Sequence, residues 1–246
     1  MWRVTTLKIS KAIETLNQNW KSTQARASTS AANGQTANLP ATRTGAKGVK
    51  WLIVGIDLAA SEKRNTGFCA MNTLLECRTK ILHTDNEIVS AAVKTNAQVV
   101  SIDAPLSIPK GRTNIEDRNG PHFRECGKAL LKMKIRTLPV TLGQMRRLTV
   151  RGMELKRAFE TYKMRVIECH PGAAQDLLGI PRKQKGVERL RRGLMRFSIK
   201  GDIHKQDITH DELDAITSAL VGRFYLDNKY VAIGDEQEGV IILPSL

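Results

Sequence analysis

The sequence predicts an α/β fold: a mixed sheet flanked by helices, with a basic helical insertion and a C-terminal hairpin. Three observations predict it. Residues 51–58 and 98–102 are short, nearly continuous apolar runs, as expected of central strands covered on both faces. Two further β-type runs follow the first without an intervening helix. From residue 85 onward, helical periodicity alternates with strand-like runs, the order that builds crossover connections.

The elements follow in order. Residues 51–58 form the central strand. Residues 59–66 are polar and end at Gly67, and 68–72 and 79–83 complete an antiparallel meander. Residues 85–94 form a helix capped by Thr84 or Asp85, with Ile88, Val89, Ala92 and Val93 on its apolar face. The right-handed crossover rule then returns residues 98–102 as a strand parallel to the first. Residues 105–149 are basic and irregular apart from a helix at 123–133. A longer helix at 148–162 carries Met153, Leu155, Ala158 and Phe159 at near-helical spacing. Residues 163–169 are a strand stopped by Pro171, because the residue before proline is pushed towards extended backbone. Short helices follow at 172–178 and 186–197. The long helix at 209–228 opens with a capping box, Thr209 as cap and Glu212 three residues on. Residues 231–233 and 240–243 close the chain as an edge hairpin.

Residues 1–48 read as a disordered basic leader and 49–246 as the folded domain. From residue 22 to 48 the chain is Ser, Thr, Ala, Asn, Gln, Gly and basic residues, too poor in aliphatic side chains to offset ordering entropy. No apolar run approaches the roughly 20 residues that span a bilayer, so no membrane association is expected. The four cysteines are scattered and read as reduced thiols of a cytoplasmic or otherwise intracellular protein. Cys169-His170 has no second pair at zinc-ligand spacing.

The net charge is +15 and it is unevenly placed. Residues 110–165 hold fifteen Lys and Arg against five acids, and 181–196 hold seven against one. The rest of the folded region is acidic. Basic segments beside an acidic set are the layout of a nucleic-acid enzyme, where cations neutralise phosphates and carboxylates hold a metal. Within these segments Arg146, Arg147, Lys183, Lys185, Arg189 and Arg192 are the candidate backbone contacts. Lys185, Arg189 and Arg192 share a face by helical spacing. Aromatic residues make up only 4% of the chain, which argues against a stacking platform for single strands.

Asp57 and Asp103 each end an apolar strand, and Asp211 and Asp214 share one face of the long helix. A carboxylate at the end of a buried strand must be paired, hydrogen-bonded or bound to a cation. Carboxylates converging without thiol or imidazole suit Mg²⁺ or Mn²⁺, and such ions fit displacement at phosphorus. Strand-end capping and a helix N-terminal acid are the structural alternative.

The segments Gly55-Ile56-Asp57-Leu58-Ala59, Ile102-Asp103-Ala104-Pro105-Leu106, Arg124-Glu125-Cys126, Glu168-Cys169-His170-Pro171, Lys185-Gly186 through Leu194, Asp211-Glu212-Leu213-Asp214-Ala215 and Gly239 to Pro244 resemble, in that order, domain-of-unknown-function family 429. That family is predicted to consist of RNase H-like nucleases. The resemblance covers roughly residues 50–244 and implies an RNase H-like mixed sheet and a divalent-metal-dependent phosphodiester hydrolase acting on DNA or RNA, structured or branched substrates included. In that frame Asp57 bridges two ions, Asp103 and Asp214 each complete one, and Asp211 and Glu168 are further ligand candidates. His170 is an auxiliary candidate, though a histidine before proline at a strand end is more simply a cap. One position departs from the family pattern: His-Pro-Glu in many relatives is His170-Pro171-Gly172 here. The alternative function is an RNase H-like protein that binds nucleic acid without turnover. An actin-like ATPase is disfavoured, since no Gly-rich phosphate loop follows either strand aspartate.

Overall fold

A computed structural model describes residues 51–117 and 119–245. The leader read in residues 1–48 lies outside them. The described residues form one eight-stranded mixed sheet with six α-helices. In chain order these are β1 (Trp51–Asp57), β2 (Thr66–Asn72), β3 (Glu76–Leu82), α1 (Asp85–Thr95), β4 (Val99–Asp103), α2 (Glu125–Lys132), α3 (Gly143–Thr161) and β5 (Arg165–Cys169). They continue with α4 (Pro171–Leu177), α5 (Val187–Met195), β6 (Lys200–Gly201), α6 (His210–Leu226), β7 (Tyr230–Asp235) and β8 (Gly239–Pro244). The strand order is β6-β3-β2-β1-β4-β5-β8-β7.

The meander of β1, β2 and β3 is antiparallel, and β4 runs parallel to β1 as the crossover rule requires. This is the expected mixed sheet flanked by helices, consistent with an RNase H-like sheet. The closing hairpin sits at the edge only through β7. Its second strand, β8, is inserted between β7 and β5 and runs parallel to β5. At the other edge, two-residue β6 pairs with β3; so short a strand leaves no periodicity to read.

Residues two apart on a strand share a face, which decides where everything packs. Val54 and Ile56 of β1, with Val100 and Ile102 of β4, pack with Ile88 and Ala92 of α1 and Leu155 and Phe159 of α3. Ile53 of β1 and Cys69 and Met71 of β2 pack on the opposite face with Leu213, Ile216 and Leu220 of α6 and Leu190 and Leu194 of α5. Val99 of β4 meets Val221 of α6 on that second face. Asp57, four residues after Ile53, and Asp103, four after Val99, therefore belong to the α6 face. All four cysteines are buried and free.

Helix α3 begins at Gly143, five residues before the expected start. Leu142 caps it without any side-chain hydrogen bond, so the usual Ser/Thr/Asp start signal is missing. Helix α6 starts as expected, with both halves of the Thr209–Glu212 capping box formed. Glu212 is itself buried, and its Oε1 accepts a 2.6 Å bond from the Thr79 hydroxyl of β3. The capping box thus also fixes the start of α6 to the sheet.

Candidate active site

Asp57 and Asp103 are direct partners in the parallel β1–β4 ladder, at the last residue of each strand. Two carboxylates on neighbouring strands at the same register start only one strand spacing apart, about 4.8 Å. Burial pushes the Asp57 carboxyl up to about 7, and the Asp214 and Asp211 charges add to it. Burial also raises Asp103 well above the usual carboxylate range, with Asp57 and Asp214 contributing. The pair is thus a desolvated, mutually repelling acid site.

Two glycines bring α6 onto it. A Cβ on Gly55 would lie 2.2 Å from the Ala215 carbonyl oxygen, and one on Gly67 would lie 2.0 Å from that of Asp211. No side chain fits at either position. The first turn of α6 consequently rests on the backbone of β1 and β2, and Asp214 comes within electrostatic reach of both strand aspartates.

Asp214 is not a free ligand. Its Oδ1 accepts 2.7 Å from the Gln175 amide of α4, and its Oδ2 lies 2.9 Å from Lys183 Nζ. Lys183 belongs to a 3-10 turn, Lys183–Lys185, just before α5. Burial opposes its charge, but Asp214, and behind it Asp57 and Asp103, hold the ammonium above its ordinary pKa. Sequence spacing grouped Lys183 with the phosphate contacts of α5; the fold places it in the acidic cluster instead. A lone lysine in a basic run carries no signal that would separate it from its neighbours.

Glu168 is close to Asp103 but committed elsewhere. Its two oxygens face both terminal nitrogens of Arg124, one at 2.8 Å, and the Leu106 N–H donates to it at 2.8 Å. Arg124 is 2% and Glu168 6% exposed, so this is a buried ion pair that stitches the insertion to β5, with only the Arg124 Nε left without a partner among the described residues. Asp211 lies at the rim, 2.9 Å from His210 Nδ1. His170 is the N-cap of α4: its Nδ1 accepts the Ala173 N–H at 3.1 Å. Burial and nearby Arg182 lower its pKa, so the ring is neutral with its proton on Nε2.

The outer cations divide. Arg146 pairs with Glu116 at 2.8 Å and Arg192 with Glu188 at 3.0 Å. The guanidinium groups of Arg147 and Arg189 have no hydrogen-bond or ion-pair partner among the described residues. Several arginines of the insertion build it rather than face solvent: Arg112 donates to the Asp117, Gly120 and Pro121 carbonyls, and Arg151 to Asp85 and the Ala59 and His83 carbonyls.

Among the described residues, no group of three or more His, Cys, Asp or Glu is arranged to hold a metal ion. The donor set nonetheless suits one hard cation. Asp57 and Asp103 offer oxygen only, are desolvated and repel each other. Asp214 does not complete a three-carboxylate centre while Lys183 holds it.

The molecule is therefore an α/β protein whose half-buried acid site lies at the ends of two parallel strands, closed by one helix. Its sequence matches the profile of the family described as "Protein of unknown function (DUF429)" over residues 55–238, and the chain belongs to that family. That span runs from Gly55 to Glu238, so it contains every acid of the site. No match was found among curated proteins. No helix among the described residues is long and apolar enough to cross a membrane.

Proposed function

We propose that this protein is a divalent-metal-dependent phosphodiester hydrolase acting on nucleic acid. The observation that carries the reading is the in-register pairing of two half-buried, desolvated carboxylates, Asp57 and Asp103, at the ends of adjacent strands. Burial of two such acids side by side is costly unless a cation or proton neutralises them. In open α/β sheets the crevice beyond the carboxyl ends of parallel strands is where ligands bind.

Asp57 and Asp103 would hold Mg²⁺ or Mn²⁺, which supplies Lewis acidity and a bound water of lowered pKa. Lys183 places a fixed positive charge beside Asp214, on the flank of the pair, where a phosphate oxygen gains negative charge in displacement. Gln175 holds Asp214 in place for that lysine. Arg147 and Arg189 are available to neutralise backbone phosphates away from the acids.

The test is a cleavage screen of the full chain against single-stranded, duplex, hybrid and four-way substrates with Mg²⁺, Mn²⁺ or chelator. Metal-dependent cleavage abolished by Asp57→Asn and by Asp103→Asn is expected. No cleavage on any substrate with either ion, with binding intact, would favour the second reading. The Lys183–Asp214 pair supports that one: a lysine in the acid cluster neutralises it without a metal, leaving a nucleic-acid-binding protein without turnover.

A further inference from the structure

Beside the acid site lies a cavity of about 270 Å³ that the proposed chemistry does not use. Asp103 and His170 are among its lining residues, so it borders the acid site. Phe123, Val140, Met145, Leu148 and Ile241 give it apolar walls. Pockets for drug-sized ligands run about 300–1,000 Å³, so this one has room for a single ring system and its substituent.

Its polar lining is Asp103, His170, Thr137, Arg136 and the Arg124–Glu168 pair, whose charges satisfy each other. His170 lines the cavity with its proton on Nε2, a hydrogen-bond donor. Arg136 lines it too, is exposed, and has no hydrogen-bond or ion-pair partner among the described residues. Leu138 also lines it, although its side chain is 51% exposed. Gly127 of α2 contributes no side chain: a Cβ there would only touch Phe123 at 3.4 Å and Thr137 at 3.9 Å. A slot with apolar walls, one aromatic side chain, polar groups that include the His170 donor, and an unpaired guanidinium suits a flat heterocycle attached to an anion.

We propose that this cavity binds the base of a nucleotide, with Arg136 on a phosphate of the same unit. The inference rests on the reading of Asp57 and Asp103 as the phosphate-processing end, and it names the unit that the crevice receives. The nucleotide is either free or one extruded from a strand, since a base can enter a closed pocket only out of the stack.

The experiment separates the cavity from the chemistry. Binding of the four nucleoside 5′-monophosphates and of ribose 5-phosphate to the full chain is measured by calorimetry in chelator, where no metal-dependent cleavage runs. At least one nucleotide should bind about ten-fold more tightly than ribose 5-phosphate, the size of one base–side-chain stacking contact. Arg136→Ala should weaken all phosphate compounds alike and leave that ratio unchanged. Gly127→Leu, which fills the slot, should bring the ratio to about one, and so should Leu138→Asp, a change at an exposed position that the fold tolerates. Ribose 5-phosphate binding as tightly as every nucleotide overturns the proposal, as does a folded Leu138→Asp variant that keeps the ratio.

A single-stranded oligonucleotide and its counterpart with one abasic unit tell the two sources apart. Tighter oligonucleotide binding that is lost in the abasic strand assigns the cavity to an extruded base; no gain over the monophosphate assigns it to a free nucleotide. Either result supports a base-binding cavity. Metal-dependent cleavage without base discrimination in chelator overturns the cavity alone. Base discrimination without cleavage under any metal overturns the hydrolase reading alone.

Discussion

Asp57 and Lys183 have opposite effects on the charge of the site. The Asp57 carboxyl has a folded pKa of about 7, raised by burial and by Asp214, against an ordinary value of 3.8. The folded protein therefore keeps its proton to higher pH than the unfolded chain does. Stability that is present below the unfolded pKa is lost as pH rises from about 4 through about 7, a loss of the order of 2–4 kcal/mol. Urea melts in chelator should show stability falling across that window for the wild type and a flatter profile for Asp57→Asn. A wild-type profile that rises between pH 5 and 7.5 would contradict the assignment. Millimolar Mg²⁺ should restore stability at pH 8 in the wild type and less so in the variant, because a ligand that binds only the folded state stabilises it by mass action. Lys183→Met leaves Asp214 buried beside two other acids. It should lower stability by about 1–2 kcal/mol, discounted for the partial exposure of the lysine, and should tighten divalent-ion binding. Mn²⁺ titration followed by electron paramagnetic resonance measures this; unchanged affinity means that the ammonium does not compete with the metal.

At the scale of elements, the site depends on how closely α6 approaches the sheet. Gly55→Ala and Gly67→Ala should each cost about 1–3 kcal/mol or more, since backbone rather than a flexible side chain must move. Both should also weaken the Mg²⁺-dependent rise in melting temperature, because water admitted beneath α6 relieves the desolvation and repulsion of Asp57 and Asp103 that a bound cation otherwise relieves. A variant that melts lower yet keeps the full metal response would show that α6 can shift without disturbing the acids. Much of this was legible in the sequence. The continuous apolar runs of β1 and β4 and the capping box of α6 identify the strands and helix that carry Asp57, Asp103 and Asp214. Gly55, two residues before Asp57, was visible as a residue but not as a contact, since a glycine in a strand marks close approach without naming what approaches. The Glu168–Arg124 pair and the Lys183–Asp214 pair were not legible either. They join residues 44 and 31 positions apart through tertiary packing, and nothing local to either partner specifies the other.

Across the whole molecule, the charge of +15 is partly structural. Arg112, Arg124 and Arg151 spend their donors on holding the insertion together, while Arg147 and Arg189 remain available. Nucleic-acid affinity should fall with salt at a log–log slope of about −0.9 for each duplex phosphate neutralised. Replacing Arg147 and Arg189 together with Ala should make that slope shallower by up to about 1.8 and weaken binding equally across sequences. Arg192→Ala should change it less, because Glu188 already pairs with that guanidinium. Filter binding at several salt concentrations decides the matter. A double variant with the wild-type slope would place the phosphate surface elsewhere. Asp57→Asn should leave the slope unchanged while abolishing cleavage, which separates grip from chemistry.

The bare backbone contact beneath α6 also predicts how the family can diverge. A carboxylate can be exchanged for an amide without moving an atom of the main chain, so a relative can lose its acids and keep this architecture. It cannot gain a side chain at the position of Gly55 or Gly67 without lifting the helix that carries Asp214. In an alignment of relatives, the two glycines should therefore persist in lineages that have abandoned the acids. Lineages that replace either glycine should have lost the helix-borne aspartate as well. The absence of two methyl groups would then be an older and more durable mark of descent than the charged residues of the site.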